Sequence, residues 1–333
     1  MSETLGYTTT EFDHISLFSV VIGQMSRMPT DTILLGVDGG GTRCRARLCT
    51  ASGARLADAV TGPANIRLGF KFAMIAVMSA TEECLDRAGL SKHDLNRITA
   101  CLALAGASEP TQLALARRHK YPFAHTILVT DAQAACVGAH RGGDGGVIIV
   151  GTGSIGWGER HGRRHRVGGW GLPISDEGSG AWIGREALRH VLWAHDGRVP
   201  WTGLLEDLFT HFRRDPHAIV RWTTRASPRD YGSFAPLVVS HASKQDAAAI
   251  ELMQLAAGHI DALAARLLAA DVRPLALVGG LADAMAQWVS SDTRRHLIQP
   301  AGDALDGAIA LARAAAGSEA PSLQMTDAHD DRG

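Results

Sequence analysis

Apolar runs that end in glycine-rich turns mark the first third of the chain. Residues 33–37 are apolar and lead through Asp38 into three consecutive glycines, and polar and apolar residues then alternate over 43–50. Alternation with a period of two is typical of a β-strand, and glycines at its end are typical of a hairpin turn. The pattern predicts strands at 32–38, 43–50 and 54–61, with the glycines at the tip of the first hairpin.

Helical patterns alternate with strands after this opening. Apolar residues recur at near-helical spacing over about 69–88, and Gly89 is placed to end that helix. The other elements expected in the first half are strands at 97–104 and 125–130 and helices at 109–118 and 131–140. Three hairpin strands followed by alternating helices and strands predict an α/β fold, in which a mixed five-stranded sheet has helices on its faces.

The second half of the chain repeats this opening. An apolar strand that starts at Val147 enters the turn 151–154, and further strands are expected beyond it and near 164–170. Two hairpins of one kind on the same chain indicate a duplicated unit. The remaining predicted elements are helices at about 179–195, 201–213, 216–225 and 244–270, a strand at 274–278, a helix after Gly279-Gly280, and a last helix at 303–316 with Asp303 as its N-cap.

Composition limits the classes of function. The chain has 333 residues, of which 46% are hydrophobic, and this is enough to bury a full core in two domains. Its formal net charge of −1 gives no global field that would recruit nucleic acid or an anionic membrane. The five cysteines form no C-x-x-C pair and are expected to be reduced and mostly buried, as in a cytoplasmic protein. Cys44 and Cys49 should face opposite sides of the sheet, because an odd number of positions separates them in one strand.

The two ends of the chain are expected to lie outside this core. The apolar run 14–22 is too short to span a bilayer, and the acidic residues before it are unlike the basic start of a secretory signal. Residues 1–31 are therefore predicted to be a dispensable extension. The tail 317–333 is polar and charged, and we expect it to be disordered.

The two glycine-rich turns have the chemistry of a phosphate site. Successive backbone N–H groups in such turns form a concave nest that binds anions. One turn alone is equally compatible with a tight connection between core strands, but the second copy favours a phosphate chain held between the two. Asp38 stands where a carboxylate can hold Mg²⁺ through water. The turn residues are Gly39, Gly40, Gly41 and Thr42 in the first copy, and Gly151, Thr152, Gly153 and Ser154 in the second.

Three polar residues near predicted strand ends are candidates for substrate chemistry. Asp131 follows an apolar strand and opens a helix, where it can act as an N-cap or as a general base toward a substrate hydroxyl. Asn65 lies in a loop, where it can form a turn or exchange hydrogen bonds with sugar hydroxyls. Asp176 belongs to the glycine-rich stretch 168–180, which is either a flexible connector or a substrate loop. The basic segment 161–166 is interpreted as a solvated hairpin tip.

These motifs, in this order, resemble the bacterial glucosamine kinases within the wider group of N-acetylglucosamine kinases and BadF/BcrA-type ATPases. That group belongs to the actin/sugar-kinase/Hsp70 superfamily. The resemblance implies two RNase H-like, actin-like ATPase domains with nucleotide in the cleft between them. One domain would span 32–140 and be completed by the helix 303–316, and the other would span 141–302. The resemblance covers about 32–315 and is carried by the stretches 36–42, 64–66, 102–107, 130–132, 151–154, 173–180 and 228–232.

The resemblance also implies roles for individual residues. The enzyme would transfer a phosphoryl group from ATP, with Mg²⁺, to the 6-hydroxyl of an amino sugar. Asp131 would be the base on that hydroxyl, and Asp38 would face the metal ion. The two turns would hold the phosphates, Gly279 and Gly280 would lie beneath the adenosine, and Asn65, Gly106, Asp131 and Asp176 would bind the sugar.

The substituent at carbon 2 of the sugar is left open by the motifs. The run 168–171 is typical of N-acetylglucosamine kinases, whereas 173–176 is typical of glucosamine kinases. Asp176 and Glu177 would suit a cationic 2-ammonium group, because charge-assisted hydrogen bonds are the stronger ones. This favours glucosamine, with N-acetylglucosamine as the alternative.

Two other classes of protein share this fold. An ATPase activator of a radical dehydratase would need cysteines on exposed loops to hold an iron–sulfur cluster. A sugar-sensing repressor would need a DNA-binding module, and residues 1–31 are too short for one. The sequence motifs do not determine the oligomeric state, and a homodimer is one possible assembly.

Overall fold

The first half of the chain builds a mixed five-stranded sheet. The computed structural model describes residues 32–107 and 109–317. The strands are β1 (Ile33–Gly39), β2 (Cys44–Thr50), β3 (Arg55–Thr61), β4 (Ile98–Leu104) and β5 (His125–Val129). Their order is β3-β2-β1-β4-β5, in which β1 to β3 are antiparallel and β4 and β5 run parallel to β1. The predicted strands and the predicted mixed sheet are confirmed.

Three helices lie against this sheet. They are α1 (Phe70–Arg87), α2 (Pro110–Arg118) and α3 (Asp131–His140), each within two residues of its predicted bounds. The apolar face of α1 is buried against β2 and β3. Nearly every residue of α3 is buried, because elements from both halves of the chain pack around it.

The second sheet repeats the topology of the first. Its strands are β6 (Gly145–Val150), β7 (Ser154–Arg160), β8 (Arg163–Gly168), β9 (Leu275–Val278) and β10 (Leu297–Ile298). The order β10-β9-β6-β7-β8 again joins an antiparallel three-stranded meander to two parallel strands. The duplication inferred from the two hairpins is therefore confirmed.

Helices cover the second sheet, and part of their prediction was wrong. A single helix was expected at 244–270, but that helix begins at Ala247 because Asp246 caps it, accepting from the N–H of Ala249 at 3.0 Å. Two short helices before it, at 228–232 and 235–243, were not predicted. The helices are α4 (Gly180–His195), α5 (Gly203–His211), α6 (Pro216–Thr223), α7 (Pro228–Gly232), α8 (Ala235–Ser243), α9 (Ala247–Ala269), α10 (Ala282–Ala286), α11 (Ser291–Arg294) and α12 (Ala304–Ala316).

The last helix, α12, returns to the first sheet. It packs on β1, β4 and α3, and Asp303 is its N-cap as expected. Glycines allow this close approach, because a Cβ at Gly307 would lie 1.9 Å from the carbonyl oxygen of Ala134, and one at Gly138 would lie 2.0 Å from that of Asp303. These contacts support the expectation that 303–316 completes the first domain.

The core has separate clusters on the faces of the two sheets. Cys44 belongs to the cluster under α1, whereas Cys49 belongs to the cluster under α12, so the two thiols lie on opposite faces as predicted. All five cysteines are buried.

The expectations for the chain ends fall on residues that the structure does not describe. The extension 1–31 lies outside the described residues, and so does the tail apart from Gly317. Among the described residues, no helix combines the length and apolarity needed to cross a bilayer.

Candidate active site

The first glycine-rich turn closes tightly between β1 and β2. The N–H of Gly40 donates across the turn at 2.9 Å. A Cβ at Gly39 would lie 2.6 Å from the side chain of Leu104, so packing within the protein explains this glycine. A Cβ at Gly41 would meet nothing nearer than the amide of Asn65, at 3.9 Å. The space beside Gly41 is therefore left free by the protein.

The second turn is anchored to the start of a helix. The N–H groups of Gly180 and Ala181, in the first turn of α4, donate to the carbonyls of Gly151 at 2.8 Å and Thr152 at 3.1 Å. A Cβ at Gly151 would meet no atom within 4 Å. The N-terminus of α4 therefore fixes the position of the second turn through two backbone hydrogen bonds.

The two turns meet across a cleft between the halves of the chain. The hydroxyls of Thr42 and Thr152 lie 3.2 Å apart, although 110 positions separate them in sequence. The two turns, one from each half of the chain, therefore lie against each other. This arrangement is what a phosphate chain clamped between two hairpins requires.

Two other residues of the second turn hold the neighbouring loop. Ser154 is buried, and its hydroxyl donates to the carbonyl of Glu177 at 2.7 Å. A Cβ at Gly153 would lie 2.5 Å from Oδ2 of Asp176. The side chain of Ser154 is thus used within the protein, and the missing side chain at Gly153 makes room for the Asp176 carboxylate.

The glycine pair after β9 lies behind the second turn. β9 runs parallel to β6, and the N–H of Leu281 donates to the carbonyl of Val150 at 3.0 Å. Gly279 has φ +107°, and a Cβ there would lie 2.5 Å from that same carbonyl oxygen. Gly280 is exposed and its Cβ would meet nothing within 4 Å. The open surface at Gly280 therefore lies beside the second glycine-rich turn, and its position beneath the adenosine stays a prediction.

Asp38 is held by an arginine on the neighbouring strand. Arg45 stands directly opposite Asp38 in the β1–β2 register, and its Nε and Nη2 donate to Oδ2 of Asp38 at 3.0 and 2.7 Å. Nη1 of Arg45 donates to Asp303 at 2.7 Å. Within the described part of the chain, no hydrogen bond reaches Oδ1 of Asp38, so a hard oxygen donor remains for a cation. Mg²⁺ commonly takes one or two carboxylates plus phosphate oxygens and water, and this donor set fits it.

Asp131 occupies the first position of α3 but does not cap it. The cap is Thr130, whose hydroxyl accepts from the N–H of Gln133 at 3.1 Å, so the capping alternative considered for Asp131 is wrong. Oδ1 of Asp131 accepts from the N–H of Ala132 at 2.9 Å. Burial and the negative charge of Asp38 raise the pKa of Asp131 to about 6. A carboxyl with this pKa is a stronger base than an ordinary aspartate and is still ionised at neutral pH.

Asn65 stands at the edge of the same cleft. It caps a short 3₁₀ turn, Ile66–Leu68, and its Oδ1 accepts from the N–H of Arg67 at 2.9 Å. A Cβ at Gly106 would lie 2.7 Å from that oxygen, so Gly106 borders Asn65 directly. Because Oδ1 is used in capping, the Nδ2 amide group is the part of Asn65 available to a ligand.

Asp176 lies in the loop after β8 with left-handed backbone conformation, φ +65°. Its Oδ1 accepts from the N–H of Gly171 at 2.9 Å. Burial raises the pKa of Asp176, while the Gly171 hydrogen bond and the positive charges of Arg67 and Arg166 act in the opposite direction. The Asp176 carboxylate, expected to attract a cationic sugar, is therefore flanked by two cations of the protein.

Those two arginines were missed by the sequence analysis. Arg166 was included in a solvated tip, but only 161–163 are exposed, and Arg166 turns inward along β8. Its guanidinium stacks on Trp170 at 4.1 Å and donates to the carbonyl of Gly169 at 2.8 Å. The position of Arg166 on a strand that leads directly into the glycine-rich loop is the signal that could have identified it.

The comparison with known proteins places the chain in a family. Residues 35–312 match the model of the BadF/BadG/BcrA/BcrD ATPase family. The chain belongs to this family. It is 39% identical over 278 residues to the glucosamine kinase GspK of Vibrio cholerae, an alignment that covers 84% of this chain and 95% of that protein.

Two further relatives of this BadF/BadG/BcrA/BcrD ATPase family member extend the comparison. An N-acetylmuramic acid/N-acetylglucosamine kinase of Clostridium acetobutylicum is 32% identical over 189 residues, covering 55% of this chain and 61% of that protein. The crystal structure of a candidate N-acetylglucosamine kinase from Chromobacterium violaceum superposes with a TM-score of 0.80 at 35% identity, covering 85% of this chain and all of that one. The duplicated RNase H-like, actin-like fold is thereby confirmed.

The cysteines argue against the dehydratase-activator alternative. Their thiols are buried within strands and helices, so none stands on an exposed loop. Within residues 32–107 and 109–317, no three side chains of His, Cys, Asp or Glu are grouped to hold a metal ion. A magnesium ion held by one carboxylate and by phosphates does not need such a group.

Proposed function

We propose that this BadF/BadG/BcrA/BcrD ATPase family member is an ATP-dependent sugar kinase that phosphorylates the 6-hydroxyl of D-glucosamine, giving glucosamine 6-phosphate and ADP. The observation that carries the proposal is Asp131, a half-buried carboxyl at the start of α3 whose pKa is raised by desolvation and by the charge of Asp38, the residue that leads into the first glycine turn. Similarity to a glucosamine kinase over 84% of this chain supports the choice of sugar.

In this proposal Asp131 takes the proton of the 6-hydroxyl while that oxygen bonds to the γ-phosphorus of ATP and the bond to the β-phosphate bridging oxygen breaks. The N–H groups of the two turns stabilise the phosphate oxygens and orient them. Mg²⁺, when bound, supplies positive charge to the phosphates, and Asp38 Oδ1 is the side-chain oxygen that would hold it.

The sugar would be oriented from both halves of the chain. Nδ2 of Asn65 is free to donate to a hydroxyl, while Asp176 accepts from a hydroxyl or from the 2-ammonium group. Both sides of the cleft are therefore needed to bind the sugar. Their closure around the sugar would exclude water from the phosphoryl group.

The direct experiment is ATP turnover, coupled to ADP detection, with glucosamine, N-acetylglucosamine, glucose and mannosamine. We expect the highest kcat/KM with glucosamine and a product that carries phosphate on the 6-hydroxyl. A higher kcat/KM with N-acetylglucosamine would overturn the choice of sugar, and ATP turnover that responds to none of the four would overturn the kinase assignment.

The proposal also includes a cytoplasmic homodimer. Cytoplasmic location fits an enzyme that uses ATP and keeps five reduced, buried cysteines. Phe72 and Ile75 of α1 are exposed, at 74% and 68%, and so is Val60 on the edge strand β3. Light scattering after gel filtration should give a mass of two chains, and a mass of one chain at all concentrations would contradict the dimer.

A further inference from the structure

The side chain of Arg67 connects the two sides of the cleft. Arg67 follows Asn65 by two residues, in the first half of the chain, and its Nη2 donates to the carbonyl of Trp170 in the second half at 3.0 Å. Trp170 begins the segment 170–178, which we call the sugar loop. Arg67 itself is exposed, so its position is set by these partners and not by burial.

Two glycines form a slot for this side chain. A Cβ at Gly106 would lie 2.4 Å from Cγ of Arg67, and a Cβ at Gly171 would lie 2.7 Å from its Nη1. Both glycines have positive φ, +80° and +99°, so ordinary residues would be strained there as well as in steric conflict. Gly106 therefore leaves room for the base of the Arg67 side chain, and Gly171 leaves room for its guanidinium.

The contacts on either side of Arg67 make a continuous connection. At one end, Oδ1 of Asn65 accepts from the N–H of Arg67 at 2.9 Å. At the other end, the N–H of Gly171 donates to Oδ1 of Asp176 at 2.9 Å, and Oδ2 of Asp176 lies against Gly153 in the second phosphate turn. The proposed sugar ligand of the first half is thus joined to the phosphate turn of the second.

We propose that Arg67 is a positioning residue that couples occupation of the sugar site to closure of the sugar loop over the phosphates. The inference rests on the proposed function. A sugar bound to Asn65 orders the turn that begins at Asn65, and Arg67 transmits this order to the carbonyl of Trp170. Without sugar the loop is less restrained, so water can reach the phosphates of ATP. Transfer of the phosphoryl group to water then competes with transfer to the sugar, but only while the cleft is open.

The test compares Arg67→Met and Arg67→Lys with the wild type and with Lys71→Met, which removes an exposed cation nearby. Arg67→Met should raise the KM for glucosamine about tenfold, the scale of one lost charge-assisted hydrogen bond, and leave the KM for ATP within about twofold. It should also raise the ATP consumed per sugar phosphate formed. Arg67→Lys should restore part of the loss, because an ammonium can still donate to one carbonyl. Lys71→Met should behave as the wild type does.

Hydrogen–deuterium exchange gives a readout that a merely structural role would not change. Glucosamine should slow exchange in residues 170–178 of the wild type and of Lys71→Met, and should have little effect there in Arg67→Met. Sugar-dependent protection in Arg67→Met equal to that in the wild type, with an unchanged KM, would overturn the role of Arg67. Wild-type ATP turnover that is not increased by glucosamine or by any of the other three sugars would instead overturn the proposed function, so the two failures are distinguishable.

Discussion

The negative charge of Asp38, at the end of β1, acts on Asp131, which follows β5 of the same sheet, and adds to the effect of desolvation in raising the pKa of Asp131 to about 6. Asp38 itself is neutralised on one oxygen by Arg45, its cross-strand neighbour. The two carboxylates therefore differ in their surroundings. Asp38 is paired with a guanidinium, whereas Asp131 accepts a backbone hydrogen bond and has a raised pKa, and we propose the first as the metal ligand and the second as the base.

Asp131→Asn should leave sugar binding nearly intact and lower kcat by roughly 10²-fold or more, the scale expected for loss of a general base. The amide keeps the shape of the carboxylate and its hydrogen bond from Ala132, but it cannot take a proton. Isothermal titration with glucosamine measures binding, and coupled turnover measures kcat. Near-normal kcat would remove Asp131 from the proton transfer.

Activity should fall as the pH drops through about 6, because Asp131 becomes protonated there and can no longer accept the proton of the hydroxyl. The fall should occur with glucose as well as with glucosamine. Asp38→Asn removes the repelling charge, so the acid limb of kcat/KM should move to lower pH even where the absolute rate is reduced. The matched control is Asp58→Asn. The carboxylate of Asp58 pairs with Arg47 outside the cleft, so this substitution should leave the acid limb of the pH profile in place.

Asp176→Asn should reduce kcat/KM for glucosamine more than for glucose. The amide oxygen can still accept from the N–H of Gly171, so the loop keeps its hydrogen bond, while the charge that would attract a 2-ammonium group is lost. Steady-state kinetics with both sugars provide the comparison. Equal losses would mean that Asp176 holds a hydroxyl common to the two sugars.

Gly307→Ala should destabilise the protein by about 1–3 kcal/mol, because its Cβ would lie 1.9 Å from the carbonyl oxygen of Ala134 and would push α12 away from α3. Gly258→Ala is the matched control. Gly258 also lies within a helix, but its Cβ would meet nothing within 4 Å, so alanine there should stabilise by up to about 1 kcal/mol. Thermal unfolding measures both, and the two variants should shift the Tm in opposite directions.

The sequence predicted backbone elements better than it predicted side-chain neighbours. The alternation over 43–50 identified β2 because the two faces of that strand lie in different surroundings. Asp38 was recognised from its turn, but its pairing with Arg45 depends on strand register, which the glycine turn alone does not specify.

The missed parts of the site have a common physical cause. Arg67 and Arg166 are long side chains that reach the cleft from separate halves of the chain, and no local pattern reports where such a side chain ends. Asp131 shows the converse: its position at the start of a helix was predicted, but Thr130 takes the cap because its hydroxyl is better placed to accept from Gln133. Which residue caps a helix, and where a long side chain ends, depends on differences of a few ångströms. The spacing of residue types along the sequence does not encode such differences.

The return of α12 to the first sheet affects the order in which the protein can be assembled during synthesis. The face of that sheet formed by Leu34, Cys101 and Val129 is covered by Ala308, Ile309 and Ala312. These residues leave the ribosome long after the sheet itself has been made. An apolar surface on the first half is therefore exposed until residues 304–316 emerge, and a nascent chain stalled within the second half would present that surface to chaperones.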